Sequence, residues 1–144
     1  MAGVRKERQD AIRDLVRHNR IRTQSELVAQ LRDRGFDVTQ ATISRDITDL
    51  GLEKDVRGVY MLPEDYRLRS IAASAVRETR RAQNQVLLLC DPGTASSVAA
   101  ALDASQTQGV LGSIAGDDTI LVICADEAQG ERFQIDVNQL LEKK

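Results

Sequence analysis

Between Ile21 and Gly51 the sequence punctuates two short helices, and no other feature restricts the fold so tightly. Thr23 followed by Glu26 reads as a capping box, and Gly35 stands where a left-handed glycine closes a helix. Leu27, Val28 and Leu31 supply the buried side of that helix. Thr39 then caps a second one, Gln40 to Leu50, closed by Gly51. Upstream, Val4 to Asn19 sets Val4, Ala11, Ile12, Leu15 and Val16 on a helical stripe with arginines opposite. Downstream, residues 52–62 read as a short hairpin, with Gly58 at its turn and Pro63 after its second strand. Three helices and a hairpin in this order form a winged helix-turn-helix.

The helix from Gln40 to Leu50 is the one whose outer face matters. At about 100° per residue from Ile43, Ile47 falls near about 40° and Leu50 near about 340°, a narrow apolar stripe. Opposite it lie Ser44, Thr48, Ala41 and Arg45, at roughly 100°, 140°, 160° and 200°. This face is small or hydrogen-bonding and carries one arginine, so it can enter a major groove. Arg45 can donate a fork to guanine, while Ser44 and Thr48 reach phosphates or base edges. Lys54 and Arg57 on the hairpin are placed to meet phosphates.

Charge supports a polyanion partner for this half. The 144-residue chain has a formal net charge of -2, yet through Arg81 it holds 17 Lys and Arg against 13 Asp and Glu. From Ala82 onward the balance reverses to 3 against 9. Phe36, Tyr60, Tyr66 and Phe133 are too few and too scattered for a platform that stacks single-stranded bases. No apolar run approaches the ~18 residues of a membrane span. The charged stretch Met1 to Asp10 lacks a signal peptide's apolar core, so the expected location is cytoplasmic. Cys90 and Cys124 sit in apolar runs as small buried side chains, and nothing requires a disulfide between them. With His18 the only histidine, no soft-metal site assembles and no metal is expected.

The punctuation at Pro63-Glu64-Asp65 places a linker around Pro63 to Leu68, dividing the chain into domains 1–67 and 68–144. Residues 68–82 suit either a helix built on Ile71, Ala72, Ala75 and Val76 or an edge strand over Ala75 to Arg80, with a hairpin tip at Gln83-Asn84. Val86 to Cys90 is a buried strand, and Asp91-Pro92-Gly93 a turn. Thr94 caps a helix from Ala95 to about Ser105. Gly109 to Ala115 and Thr119 to Cys124 are strands joined at Gly116-Asp117-Asp118, and Glu127 to Lys143 is a closing helix weakened by Gly130. The fold class is therefore α+β: a winged helix-turn-helix, then an antiparallel sheet with two helices on one face. So small a second core is marginal alone, which points to self-association through this half.

Asp117-Asp118 is the chemically loaded position. Gly-Asp-Asp between strands is ordinary turn chemistry, but adjacent carboxylates repel unless a cation relieves them. A planar guanidinium fits such a site better than an ammonium does. Asp103, at the end of the preceding helix, offers a further carboxylate for an α-amino group. One rival chemistry uses Asp91, Asp103, Asp117 and Asp118 to hold Mg²⁺ for phosphoryl transfer. The chain has no phosphate-cradling glycine loop and is too short for a polymerase, so no enzyme activity is expected. A second rival keeps DNA binding but senses another amino acid, or none.

Three blocks in order resemble the bacterial arginine repressors: residues 39–47, residues 92–95 leading to Ala101-Leu102-Asp103, and residues 112–120. The resemblance implies a winged helix that binds double-stranded operator DNA through Ser44 and Arg45, with Gln40 and Thr42 also among the DNA-binding residues. It implies trimers that pair into hexamers, with L-arginine as co-repressor at their interface. Asp103, Asp117 and Asp118 belong to that ligand site, together with Ser96, Ser113 and Ala115. It also favours a strand over Ala75 to Arg80. In many relatives a glutamine or other polar residue stands where Ser96 or Ser97 stands here, and Gly-Thr-Ile is Gly-Ser-Ile here, with Ser113 keeping the hydroxyl. The function expected is arginine-dependent repression of arginine biosynthesis genes.

Overall fold

A computed structural model describes residues 2–142, which divide into two compact units between Tyr66 and Arg67. The first contains α1 (Ala2–His18), α2 (Gln24–Asp33), α3 (Gln40–Leu50), and a ribbon of β1 (Glu53–Lys54) and β2 (Tyr60–Met61). The expected caps are made. Thr23 Oγ1 accepts from the Glu26 N–H at 3.1 Å, and the Glu26 carboxylate reaches back to the Arg22 N–H at 3.2 Å. Gly35, at φ +91°, lets the Phe36 N–H bond the Leu31 carbonyl in a Schellman closure. Ile12, Ile21, Leu27, Leu31, Ile43 and Leu62 are wholly buried and form the core. Val4, expected on the buried stripe of α1, is instead 58% exposed in the first turn of the helix, outside the core cluster. The Tyr60 N–H bonds the Ile21 carbonyl at 2.8 Å, so residues 20–22 lie along β2 and steady the hairpin.

The expected linker is a helix. Residues Pro63–Ala75 form α4, and the boundary between the two units falls within it. Proline, unable to donate, is at home in the first helical position, and Glu64 and Asp65 in the first turn suit the positive end of the helix dipole. These residues are helix-start signals as much as linker signals. Residues 68–82 therefore satisfy both readings in turn, a helix to Ala75 and then strand β3 (Val76–Ala82).

The second unit is built on the antiparallel sheet β3-β4-β6-β5, with β4 at Gln85–Cys90, β5 at Val110–Ala115 and β6 at Thr119–Cys124. Alternation is strict in the two central strands. Val86, Leu88 and Cys90 of β4, with Ile120, Val122 and Cys124 of β6, are buried against α5 (Ala95–Ser105) and α6 (Glu127–Glu142). The expected last residue of α6, Lys143, lies outside the described residues. The alternate residues Leu87, Leu89, Leu121 and Ile123 are only partly buried and belong to neither core. On edge strand β5, Leu111 and Ile114 are 71% and 73% exposed.

Three details decide how this unit closes. Gly130 sits on α6 where a Cβ would stand 2.8 Å from the Gln83 carbonyl oxygen, so glycine allows the β3–β4 turn to touch the helix backbone. The residue that looks like a weak point is a contact point. Thr94 does not cap α5. Its hydroxyl donates back to the Asp91 carbonyl at 2.6 Å, closing the preceding turn. Cys90 and Cys124 end antiparallel neighbours at opposite ends, since Leu89 pairs with Thr119 and Gln85 with Ile123. Six residues of strand separate them by about 20 Å, far beyond disulfide reach.

Candidate nucleic-acid interface and acidic turn

Helix α3 presents the expected face. Its cap is Thr39 Oγ1, which accepts from the Thr42 N–H at 3.3 Å, and the two hydroxyls lie 3.1 Å apart. Gln40, Ala41, Ser44, Arg45 and Thr48 are exposed, while Ile43 and Ile47 are buried. Thr48 Oγ1 donates to the Ser44 carbonyl at 3.3 Å, leaving the Ser44 hydroxyl free for an outside partner. Arg45 forms no hydrogen bond or ion pair with any described residue, so its fork is available.

The hairpin arranges its two cations differently. Lys54 Nζ stands 4.9 Å from the centre of the Tyr60 ring, a cation–π contact that leaves the ammonium exposed. Arg57 forks onto Asp55 through Nε and Nη2 at 3.2 and 2.9 Å. The same carboxylate accepts from the N–H groups of Arg57 and Val59. Burial pushes the Asp55 carboxyl up, but these hydrogen bonds and the Arg57 charge outweigh it and hold it below the ordinary value. Arg57 thus shapes the turn, with its charge already partnered by Asp55.

Periodicity alone misses one residue of α3. Asp46 is 2% exposed, held by Arg8 of α1 and by Gln9. Burial alone raises its pKa, yet the hydrogen bonds and charge of Arg8, with Gln9 and Arg5, more than offset this and keep it ionised. The signal that could have found it is the acidic residue itself, set next to Arg45 on a helix expected to meet phosphate, where a free carboxylate would be repelled.

In the second unit the turn at 116–118 is tied into the scaffold through its backbone. The Asp117 carbonyl accepts from the first N–H of α5, that of Ala95, at 3.2 Å, supplying the cap that Thr94 does not. The Asp118 carbonyl accepts from the Cys90 N–H at 2.7 Å. The two side chains differ. Asp117 Oδ2 accepts from the Gly93 N–H at 3.2 Å, whereas Asp118 Oδ1 meets only its neighbour, the Thr119 hydroxyl, at 3.0 Å. Both are exposed, and neither is ion-paired among the described residues. Asp91 already has a cation, with Arg77 Nε at 3.5 Å.

Asp103, near the other end of α5, accepts from Ser113 Oγ at 3.4 Å. It stands about 12 Å from the helix start, given eight residues at about 1.5 Å each. Ser96 is exposed on the first turn of α5, and Ala115 is partly buried at the end of β5. Asp103 on α5 therefore stands apart from the Asp117–Asp118 pair on the β5–β6 turn, and among the described residues no group of acidic, histidine or cysteine side chains is disposed to hold a metal ion.

An unpaired arginine on the outer face of a winged helix, followed by a sheet-and-helix unit with a rigid acidic turn, defines a two-unit DNA-binding transcription regulator. Two family profiles match the chain: the arginine repressor DNA-binding domain over residues 4–68 and the arginine repressor C-terminal domain over residues 72–139. An arginine repressor from Solibacter usitatus is 44% identical over 138 residues, covering 94% of this chain and 95% of the relative. One from Carboxydothermus hydrogenoformans is 43% identical over 85% of this chain and 89% of its own. One from Thermus thermophilus is 37% identical over 96% and 92%. The chain belongs to the arginine repressor family: it is an arginine-responsive transcriptional repressor and not an enzyme. No described helix is long and apolar enough to cross a membrane.

Proposed function

We propose that this chain represses arginine biosynthesis genes from the cytoplasm as a hexamer, a dimer of trimers, assembled with L-arginine. The observation that carries the ligand reading is a pair of exposed carboxylates, Asp117 and Asp118, held on a turn tied into the scaffold and ion-paired to no described residue. Asp118, the less committed of the two, receives the guanidinium, with Asp117 beside it. Asp103 and Ser113 take the α-amino end, and Ser96 and Ala115 border the pocket. Assembly is supported by the uncovered sheet face of Leu87, Leu89, Leu121 and Ile123, continued by Ile114, which pairs with Leu121. Burying such a face is favourable in proportion to its apolar area, and a second copy of the chain presents the same face.

The DNA contacts are Arg45 and Ser44 to base edges. Gln40, Thr42 and Thr48 stand beside them, and Lys54 meets phosphate, with Arg57 in support. Arginine acts by linkage: bound better by the hexamer than by free trimers, it shifts the population toward the form that presents several winged helices at once.

Calorimetric titration with L-arginine, with L-citrulline and L-lysine as controls, tests the ligand reading. Citrulline keeps the shape but has no guanidinium charge. Arginine alone is expected to bind, and Asp118→Asn to weaken it by roughly tenfold to a hundredfold, the value of a charged hydrogen bond. Equal binding of citrulline refutes the assignment of the turn.

A further inference from the structure

Beside the shared apolar core, α3 and α1 are also joined by charged side chains. Arg8 of α1 grips both carboxylate oxygens of Asp46, through Nε at 2.5 Å and Nη2 at 3.0 Å. Gln9 Nε2 adds a third bond at 3.2 Å. One turn along both helices Arg5 Nη2 meets Asp49 at 2.8 Å, in the open. Arg5 and Arg8 are three apart on α1, as are Asp46 and Asp49 on α3, so two rungs join the same two faces.

Stability alone is a poor reason for this arrangement, since apolar replacements of a buried ion pair are often as stable or more so. Geometry is a better one. The buried stripe of α3 is narrow, Ile43 and Ile47, and a pair of isoleucines stays buried while the helix rolls. A two-point fork does not tolerate a roll. With side chains reaching about 6 Å from the axis, a roll of about 20° carries a side-chain tip about 2 Å, enough to lose a hydrogen bond.

We propose that the Arg8–Asp46 fork sets the rotation of α3 about its axis, making Asp46 and Arg8 positioning residues for base discrimination by the neighbouring Arg45. This rests on α3 being the helix that reads DNA. Phosphate attraction depends on charge and tolerates a roll, whereas base-edge contacts do not. Losing the fork therefore lowers the preference for operator over unrelated DNA far more than it lowers affinity for DNA in general.

The test measures Kd for two duplexes at one salt concentration with L-arginine present. One is enriched by the parent protein from a random library and the other is its scrambled counterpart. Thermal melting is followed in parallel. The double variant Arg8→Met/Asp46→Leu replaces the pair with apolar side chains. It is expected to melt at or above the parent, yet to lose about tenfold or more in discrimination. Arg8→Lys keeps the charge but cannot fork, and it is expected to lose discrimination while the protein still melts cooperatively, at a somewhat lower temperature; it decides the matter should the double variant fail to fold. Parental discrimination in either folded variant overturns the proposal. Arg45→Ala separates this failure from a failure of the premise: if it too discriminates like the parent, α3 is not the reading helix.

Discussion

Replacing Gly130 by alanine pits two known effects against each other. In an exposed helix interior, alanine is the better residue by about 1 kcal/mol. At Gly130 the new Cβ would meet the Gln83 carbonyl oxygen at 2.8 Å and the Asn84 Cα at 3.2 Å. Both are backbone atoms, so no side chain can swing aside. Gln83 is held at φ +55° in a two-residue turn between paired strands, which leaves that turn little freedom to yield. Overpacking of this kind costs about 1–3 kcal/mol, and against rigid backbone the upper part of that range applies. The net expectation is a loss of about 1–2 kcal/mol, which lowers the melting temperature of a unit this size by about 5–15 °C. Calorimetry at fixed protein concentration measures it, since the proposed self-association would make melting concentration-dependent. Gln139→Ala, on an exposed position of the same helix, serves as control and should change little. A Gly130→Ala protein as stable as the parent would refute the claim that the turn is pressed against α6.

The uncovered sheet face gives a second expectation: Leu121→Lys should leave the protomer folded but shift sedimentation to smaller species, and unchanged assembly would exclude this face as the interface. The carboxyls of Asp14, Asp46 and Asp55 all lie below their ordinary value of 3.8 when folded. The folded first unit thus binds fewer protons than the unfolded chain, so its stability is full at neutral pH and falls as pH drops through and below about 4; a flat melting profile from pH 6 to about 3 would contradict those contacts. Burial pushes both the Cys90 and Cys124 thiols up, so neither should react with iodoacetamide at neutral pH until the chain unfolds. Rapid native labelling would show that the sheet opens.

How much of this was readable depended on whether a signal was local. Thr23 with Glu26, and Thr39 with Gly51, are complete within a few residues, and the helices they bound appear where expected. The outer face of α3 followed from the helical period alone. Pro63-Glu64-Asp65 failed as a linker because proline and acidic residues serve a linker and a helix start equally well. Thr94 has a capping residue's chemistry, but the cap of α5 is the Asp117 carbonyl, supplied from across the unit. Asp46 shows the limit most clearly. Its buried place depends on Arg8, 38 positions earlier in the chain, and a helical wheel sees only an acidic residue to be left in water. The acidic turn was visible as carboxylates between strands, while the difference between Asp117 and Asp118 needed Gly93 and Thr119 in space.

That difference bears on how such a regulator can drift over evolutionary time. Asp117 does structural duty with its side chain, whose carboxylate receives the Gly93 N–H. Asp118 spends only its carbonyl on the fold and meets one neighbouring hydroxyl with its side chain. Selection for folding therefore guards the first position even after ligand sensing has ceased to matter, and leaves the second open to change. If Asp118 is the effector contact proposed above, a descendant that abandoned its effector would carry the scar at position 118 first, while keeping the loop intact around it.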